Sequence, residues 1–287
     1  VAMRQEGGIS GVISIAGMPV DPAALASEWR LNSVQRETVD RMARAGEVFD
    51  YPNAELLRYE LRLRNQIVVS SLQLFRSGLA FATFEETRCN ERFWVRTDYG
   101  GCMLRPEVPP SIAIEDIFRN GHAYAFECAT AMVIILYHAV LQTIRRADFD
   151  QLFRGILLYD WRYDQDLRLT TEQTRTFLPG DILYFENPEY RLDEPEWQGE
   201  NAVDLGNGRY FGHGIGVETA EGILHHLNGK RRPGATRRAQ LLSQATRPGF
   251  AYLAAFEDTG GIRFMSGSTE TEAGKIRAEI GSAVWEL

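Results

Sequence analysis

The stretch GHAYAFECATAMVIILYHAVLQTI, residues 121–144, decides how the rest of this chain is read. From Ala129 to Leu141 nearly every residue is apolar. A helix over such a run is buried on most sides rather than along one stripe. The run is too short to span a bilayer and it contains His138. Glu127 and Cys128 stand at its head. A carboxylate at a helix start is good capping electrostatics, and a cysteine in the first turn feels the positive end of the helix dipole, which favours thiolate over thiol. Two readings of Cys128 stand side by side: a small core filler, as most free cysteines are, or a nucleophile.

Working outward, Asp21-Pro22 reads as an N-cap and first helical residue, opening a short helix to about Trp29. Asn53 caps a longer helix whose Leu56, Leu57, Leu61, Ile67, Val68, Leu72 and Phe75 share one face, with Gly78 at its C-terminal end. FATF (81–84), RFWVRT (92–97) and CMLR (102–105) read as strands, with DYGG as a turn. Ser111, after Pro109-Pro110, caps the helix IAIEDIFRNG. The central helix ends near Arg145-Arg146, and short strands follow: GILLYDW, DILYF, NAVDL and RYFGHGIGV. Helical pieces are expected over TAEGILHHLNG and around AQLLSQAT. Helices first and strands later predict an α+β domain over about 18–256. Residues 1–17 are Gly-rich and expected to be loose, and the polar stretch 257–287 is expected to be an appendage with a short helix over TEAGKIRAEI.

The totals narrow the function classes. The chain has 287 residues, 44% apolar and 24% charged, with a formal net charge of -8. That excess of acid argues against nucleic acid as the main partner; it would suit basic, lysine-bearing proteins, and ordinary solubility accounts for it more simply. No basic region followed by an apolar stretch and a small-residue cleavage site opens the chain, so neither a secretion signal nor a membrane span is expected. Three widely spaced cysteines, Cys89, Cys102 and Cys128, predict neither a disulfide framework nor a zinc site, and point to a reduced, intracellular protein.

A nucleophilic Cys128 needs a base. His122 lies in the loop before the helix. His138 sits about 15 Å further along the helix axis, too far to serve. His213, in FGHGIG, is flanked by glycines that let backbone approach a site closely, and is equally a polar residue at a strand end. His225-His226 fall on the polar face of a helix. Glu200, in EWQGENAVDLG, stands just before a strand, where most glutamates are solvated. A carboxylate is a poor base for a thiol in water, since the reference pKa values differ by about four units, roughly 6 kcal/mol. Burial raises the acid and a helix N-terminus lowers the thiol, so a Cys–Glu pair requires a desolvated pocket.

AYAFECATAMVI is similar to the FYAFECATA wording of the bacterial spore-coat transglutaminases, the protein-glutamine gamma-glutamyltransferases of endospore formers. YELRLRNQIV, SGLAFATF, ILLYDWRY, GDILYFENPE, EWQGENAVDLG, RYFGHGIG and LLSQATR follow in family order, from about Met18 to Arg247. The resemblance implies an acyl transfer. A protein glutamine acylates a cysteine with loss of ammonia, and a lysine ε-amine takes the acyl group as an ε-(γ-glutamyl)lysine cross-link. It implies Cys128 as nucleophile, Glu200 as general base and Glu127 as a second carboxylate sharing that work. His213 becomes an orienting or substrate-side group. The implied fold is a minimal papain-like (NlpC/P60-like) core, with the nucleophile at the start of a buried helix packed on an antiparallel sheet. The resemblance also implies a site in a tunnel, reached by glutamine and lysine substrates from opposite mouths. No metal or cofactor is implied, and the activity is calcium-independent. The implied partners are spore coat proteins bearing Gln and Lys, met in the mother-cell cytoplasm. Gln198 stands where the family has arginine before the glycine, and the extensions at both ends have no role fixed by sequence.

Two other functions fit the same residues. A cysteine hydrolase on this core would use histidine as base and carry an export signal. A non-enzymatic scaffold would lack the Cys or Glu motif, and both are present.

Overall fold

The computed structural model describes residues 12–258, 277–280 and 283–286. The chain divides into two compact units, Val1–Glu257 and Asp258–Leu287. The first unit opens with β1 (Val12–Ile15) and β2 (Met18–Pro19), then α1 (Pro22–Glu28), α2 (Ser33–Arg44), β3 (Val48–Tyr51) and α3 (Ala54–Arg76). Strand β1 pairs parallel with β3, and Ile13 is buried, so part of the N-terminal stretch read as loose is ordered. Both predicted caps form: Asp21 accepts from the Ala23 N–H and Asn53 from the Leu56 N–H. The helix α2 was not anticipated. Its start is written in Asn32-Ser-Val-Gln35, where Asn32 and Gln35 close a reciprocal capping box.

Next come β4 (Ala80–Phe81), β5 (Trp94–Arg96), β6 (Cys102–Leu104), α4 (Pro110–Arg119), β7 (Ala125–Phe126), α5 (Cys128–Leu141), α6 (Arg146–Leu152) and β8 (Leu157–Leu158). Ser111 lies inside α4 rather than capping it, because Pro110 already supplies the first helical residue. Cys89 and Cys102 form a disulfide between the loop before β5 and β6, which corrects the expectation of three unpaired cysteines. Their pairing depends on loop geometry that no local spacing rule captures.

The second half builds a seven-stranded antiparallel sheet from β9 (Thr170–Gln173), β10 (Ile182–Glu186), β11 (Gly199–Gly206), β12 (Arg209–Gly212), β13 (Gly216–Thr219), β14 (Gln240–Leu241) and β15 (Gln244–Arg247). The order is β13-β12-β11-β10-β15-β9, with β14 also on β10. Between β13 and β14 runs α7 (Ala220–Gly229), and α8 (Phe250–Leu253) follows β15. AQLLSQAT, read as helical, is β14 and β15: pairing with β10, and of β15 also with β9, outweighs the local helix preference. RYFGHGIGV is not one strand but a hairpin, β12 and β13, with His213 in its turn. In the second unit β16 (Arg277–Ile280) pairs with β17 (Ala283–Glu286), so the helix expected over TEAGKIRAEI is strand where it is described. Its first six residues lie outside the described set. The architecture is α+β, as the order of elements predicts. Among the described residues no helix is long and apolar enough to cross a membrane.

Helix α5 is the centre of this arrangement. Every residue from Ala129 to Leu141 is buried, and most of them pack in one cluster with α3, α4 and the inner face of the sheet. His138 donates to or accepts from Ser70 Oγ at 2.8 Å and stacks on Phe118 at 3.7 Å, so it is a satisfied core residue. Helix α3 is tied to the sheet by a buried ionic knot. Arg64 reaches Glu60 Oε1 at 2.8 Å and Asp181 Oδ1 at 2.7 Å, and Arg247 closes on both Asp181 oxygens. Burial opposes ionisation of Asp181, but the two guanidinium groups hold its carboxyl below the usual range. Gly180, at φ +85°, lets the chain turn against α3, where a Cβ would come within 3.0 Å of the Arg64 backbone. Breaking a fully buried knot from one side strands the remaining charges. Arg64→Met is therefore expected to lower the unfolding free energy by about 3–5 kcal/mol in urea titration.

Candidate active site

Cys128 is the first residue of α5 and the only unpaired cysteine among the described residues. The position of that residue is fixed by its neighbour. Glu127 is the N-cap: its carboxylate accepts the Ala129 N–H, the Thr130 N–H and the Thr130 hydroxyl. Such a clamp satisfies the orphan donors of the first turn and fixes where the helix begins. Burial pushes the Glu127 carboxyl up, opposed by these hydrogen bonds, and the charge of Asp160 adds to the rise.

Strand β11 passes the head of α5 and carries Glu200 and Asn201 on neighbouring positions. Asn201 donates from Nδ2 to Cys128 Sγ at 3.6 Å. Glu200 is 1% exposed, and its Oε1 accepts the Gly214 N–H at 3.2 Å. The glycines around His213 make this approach possible: a Cβ on Gly212 would lie 2.7 Å from Glu200 Oε1, and one on Gly214 3.1 Å from Oε2. Burial pushes the Glu200 carboxyl up to about 8, against the Gly214 N–H, with the Glu127 charge adding to it and the His213 N–H opposing. Burial likewise pushes the Cys128 thiol up, and the charges of Glu200 and Glu127 push it further, while Asn201 favours the thiolate.

A cavity of about 710 Å³ opens onto Cys128, Glu127 and Asn201. Its walls include Phe81, Phe84, Trp161 and Tyr184, with Asp160 and Glu196 supplying charge. Passing a proton from thiol to Glu200 leaves the number of buried charges unchanged, since one anion replaces another. The roughly 6 kcal/mol gap of the isolated groups in water is set by hydration that this site removes from both. Both groups are desolvated here, and burial raises the thiol along with the acid; within the site it is the Asn201 amide that favours the thiolate.

A family model for protein-glutamine gamma-glutamyltransferases matches residues 12–257. The chain belongs to the protein-glutamine gamma-glutamyltransferase family. A relative of that name from Bacillus cereus is 46% identical over 213 residues, covering 74% of this chain and 77% of the relative. One from Bacillus anthracis is 45% identical over the same span. A solved transglutaminase from Geobacillus stearothermophilus, without its C-terminal extension, is 50% identical and superposes with a TM-score of 0.70 over 72% of this chain and 99% of that one. A transglutaminase acts on glutamine and lysine side chains of proteins, and the chain is accordingly a transferase that forms isopeptide cross-links.

In this transglutaminase the sequence candidates divide into three groups. Cys128, Glu127 and Glu200 converge. His213 is nearby, with its ring on backbone carbonyls: Nε2 meets the Ala80 carbonyl at 3.2 Å and the ring lies 6.0 Å from Phe81. Burial lowers its pKa to about 4, so it is neutral. His138 and the His225-His226 pair are elsewhere: His138 in the core, and His226 against Trp197 at 4.8 Å. Asn201 was overlooked because an amide beside a glutamate carries no spacing signal. Its position, one residue after Glu200 and opposite Tyr184 in the register with β10, is a property of the sheet. Among the described residues no group of three or more His, Cys, Asp or Glu is placed to hold a metal ion.

Two outcomes follow from this geometry. Asn201→Ala is expected to slow alkylation of Cys128 by iodoacetamide about tenfold, the loss of one hydrogen bond to a charged acceptor. The Glu200 carboxyl ionises at about 8, which frees a carboxylate beside Cys128, so Cys128 reactivity is expected to rise with pH through that value. Between about 4.5 and about 8 the folded chain holds a proton that the unfolded chain has released, so stability falls across that window as pH rises. Glu200→Gln removes both the rise in reactivity and the fall in stability, which alkylation rates and thermal melts at pH 5 and 9 report.

Proposed function

We propose that Cys128 is the acyl-accepting nucleophile and Glu200 its general base. The observation that carries this reading is a carboxyl pushed up to about 8, close enough for its charge to act on the one unpaired cysteine among the described residues, at the head of a buried helix. In the first half-reaction the Cys128 proton passes to Glu200. Sulfur attacks the carboxamide carbon of a substrate glutamine, and the leaving nitrogen takes a proton back as ammonia departs. In the second half-reaction Glu200 receives a proton from the attacking lysine amine, the C–N bond forms and the C–S bond breaks. Glu127 shares this work to a smaller degree, because its oxygens are held by the first turn of α5. His213 acts through its backbone N–H, which supports the Glu200 carboxylate.

The proposal extends to a minimal papain-like (NlpC/P60-like) core over about 18–256, bearing an extension at each end. That reading is supported by a cysteine opening a buried helix beside an antiparallel sheet. The Cys–Glu mechanism uses no metal and is independent of calcium. By resemblance to the spore-coat enzymes, the substrates are coat proteins bearing reactive Gln and Lys, met in the mother-cell cytoplasm and at the coat.

The reading is tested by incubating the protein with a glutamine-bearing protein and a fluorescent primary amine. Amine incorporation is expected from the wild type and not from Cys128→Ala. Release of glutamate or cleaved peptide without incorporation would identify a hydrolase instead. Glu200→Gln is expected to cut the rate by about 10²–10⁴, the usual range for losing a general base, and Glu127→Gln by less. Equal and complete loss in both variants contradicts this division of the work.

A further inference from the structure

The reaction consumes lysine ε-amines, and this chain almost lacks them. Of its 31 basic residues other than histidine, only Lys230 and Lys275 are lysines; the other 29 are arginines. Glutamine is not depleted: there are 11, and Gln151, Gln165, Gln173, Gln198 and Gln240 are exposed. The asymmetry therefore falls on the acceptor half-reaction. In that step a neutral ε-amine forms a C–N bond to the acyl carbon, the C–S bond breaks, the electron pair returns to Cys128, and the extra amine proton leaves for a carboxylate. A guanidinium stays protonated throughout the working pH range and has no free lone pair to offer.

Lys275 lies outside the described residues. Lys230, at the end of α7, is engaged twice: Nζ is 3.0 Å from Glu194 Oε1 and 4.8 Å from the centre of the Trp197 ring. To attack a thioester it must release both partners. By contrast Arg154, Arg175 and Arg238 are exposed and form no ion pair among the described residues. At these positions a lysine would present a free acceptor with the same charge.

We propose that this chain is built as a poor acceptor for its own reaction: arginine replaces lysine on its exposed surface, and Glu194 with Trp197 sequesters Lys230. The device lets the enzyme work at high local concentration among lysine-bearing substrates without being linked to its own copies. It rests on the family's cross-linking activity and not on the assignment of the base.

The test uses the full chain in a Lys275→Arg background, incubated with itself at high concentration and analysed by denaturing gel and peptide mass spectrometry. A parallel sample incorporates a fluorescent cadaverine into a glutamine-bearing protein, and absence of that signal would remove the activity itself and the proposal with it. With that signal present, the background chain is expected to stay unlinked. Glu194→Gln is expected to raise linkage at Lys230 by about threefold, the scale of one partly exposed ion pair. The charge-conserving variant Arg154→Lys, Arg175→Lys, Arg238→Lys is expected to form a ladder of covalent oligomers that disappears when Cys128→Ala is added. Linkage at Lys230 equally fast with and without Glu194, or a triple-lysine variant that links no more than its parent, overturns the proposal.

Discussion

The clamp of the Glu127 carboxylate on the first turn of α5 is the constraint on which the site depends. It decides that the helix begins at Cys128, and therefore where the thiol stands relative to β11. Everything else holds the two sides in place. The helix behind Cys128 is buried along its whole length, so it cannot slide without opening the core. The sheet is tied to α3 by the Arg64–Asp181–Arg247 knot at the start of β10, the strand paired with β11. The hairpin turn after β12 then supplies glycines and backbone N–H groups to the back of Glu200.

The electrostatics follow from the same packing. A buried carboxyl that accepts one or two backbone N–H bonds, near a second carboxylate, ionises reluctantly. On the proposed reading, that reluctance lets Glu200 hold a proton more tightly than a carboxylate at its ordinary value would, while the same burial raises the Cys128 thiol. It also costs stability, since the folded chain would be easier to hold together with Glu200 protonated. This is the usual pattern of a site whose local strain is offset by its surroundings. The scarcity of lysine fits the chemistry from outside: the chain offers few amines of its own to the reaction.

Much of this was legible in the sequence. The apolar run after Cys128 announces a buried helix, and Asn53 and Asp21 announce two helix starts by the capping chemistry they carry. The glycines of FGHG announce a close backbone approach, though not that Glu200 is what they approach. The rest depends on tertiary placement. AQLLSQAT has helix-forming residues but joins the sheet, with β14 and β15 on β10 and β15 also on β9. Cys89 and Cys102 are 13 residues apart with a hairpin strand between them, and only the fold brings them together. Asn201 reaches Cys128 because β11 crosses the head of α5, a juxtaposition of segments 73 residues apart.

The central claim is that the acyl group rests on Cys128, on a thiol whose proton goes to Glu200. The most direct measurement is acid-quenched mass spectrometry of the chain mixed with a glutamine peptide and no amine. The prediction is an adduct equal to the peptide less ammonia, mapped to the peptide containing Cys128, formed rapidly by the wild type and barely by Glu200→Gln. An adduct on another residue, or one that forms on Cys128 as fast without the Glu200 carboxylate, would contradict it.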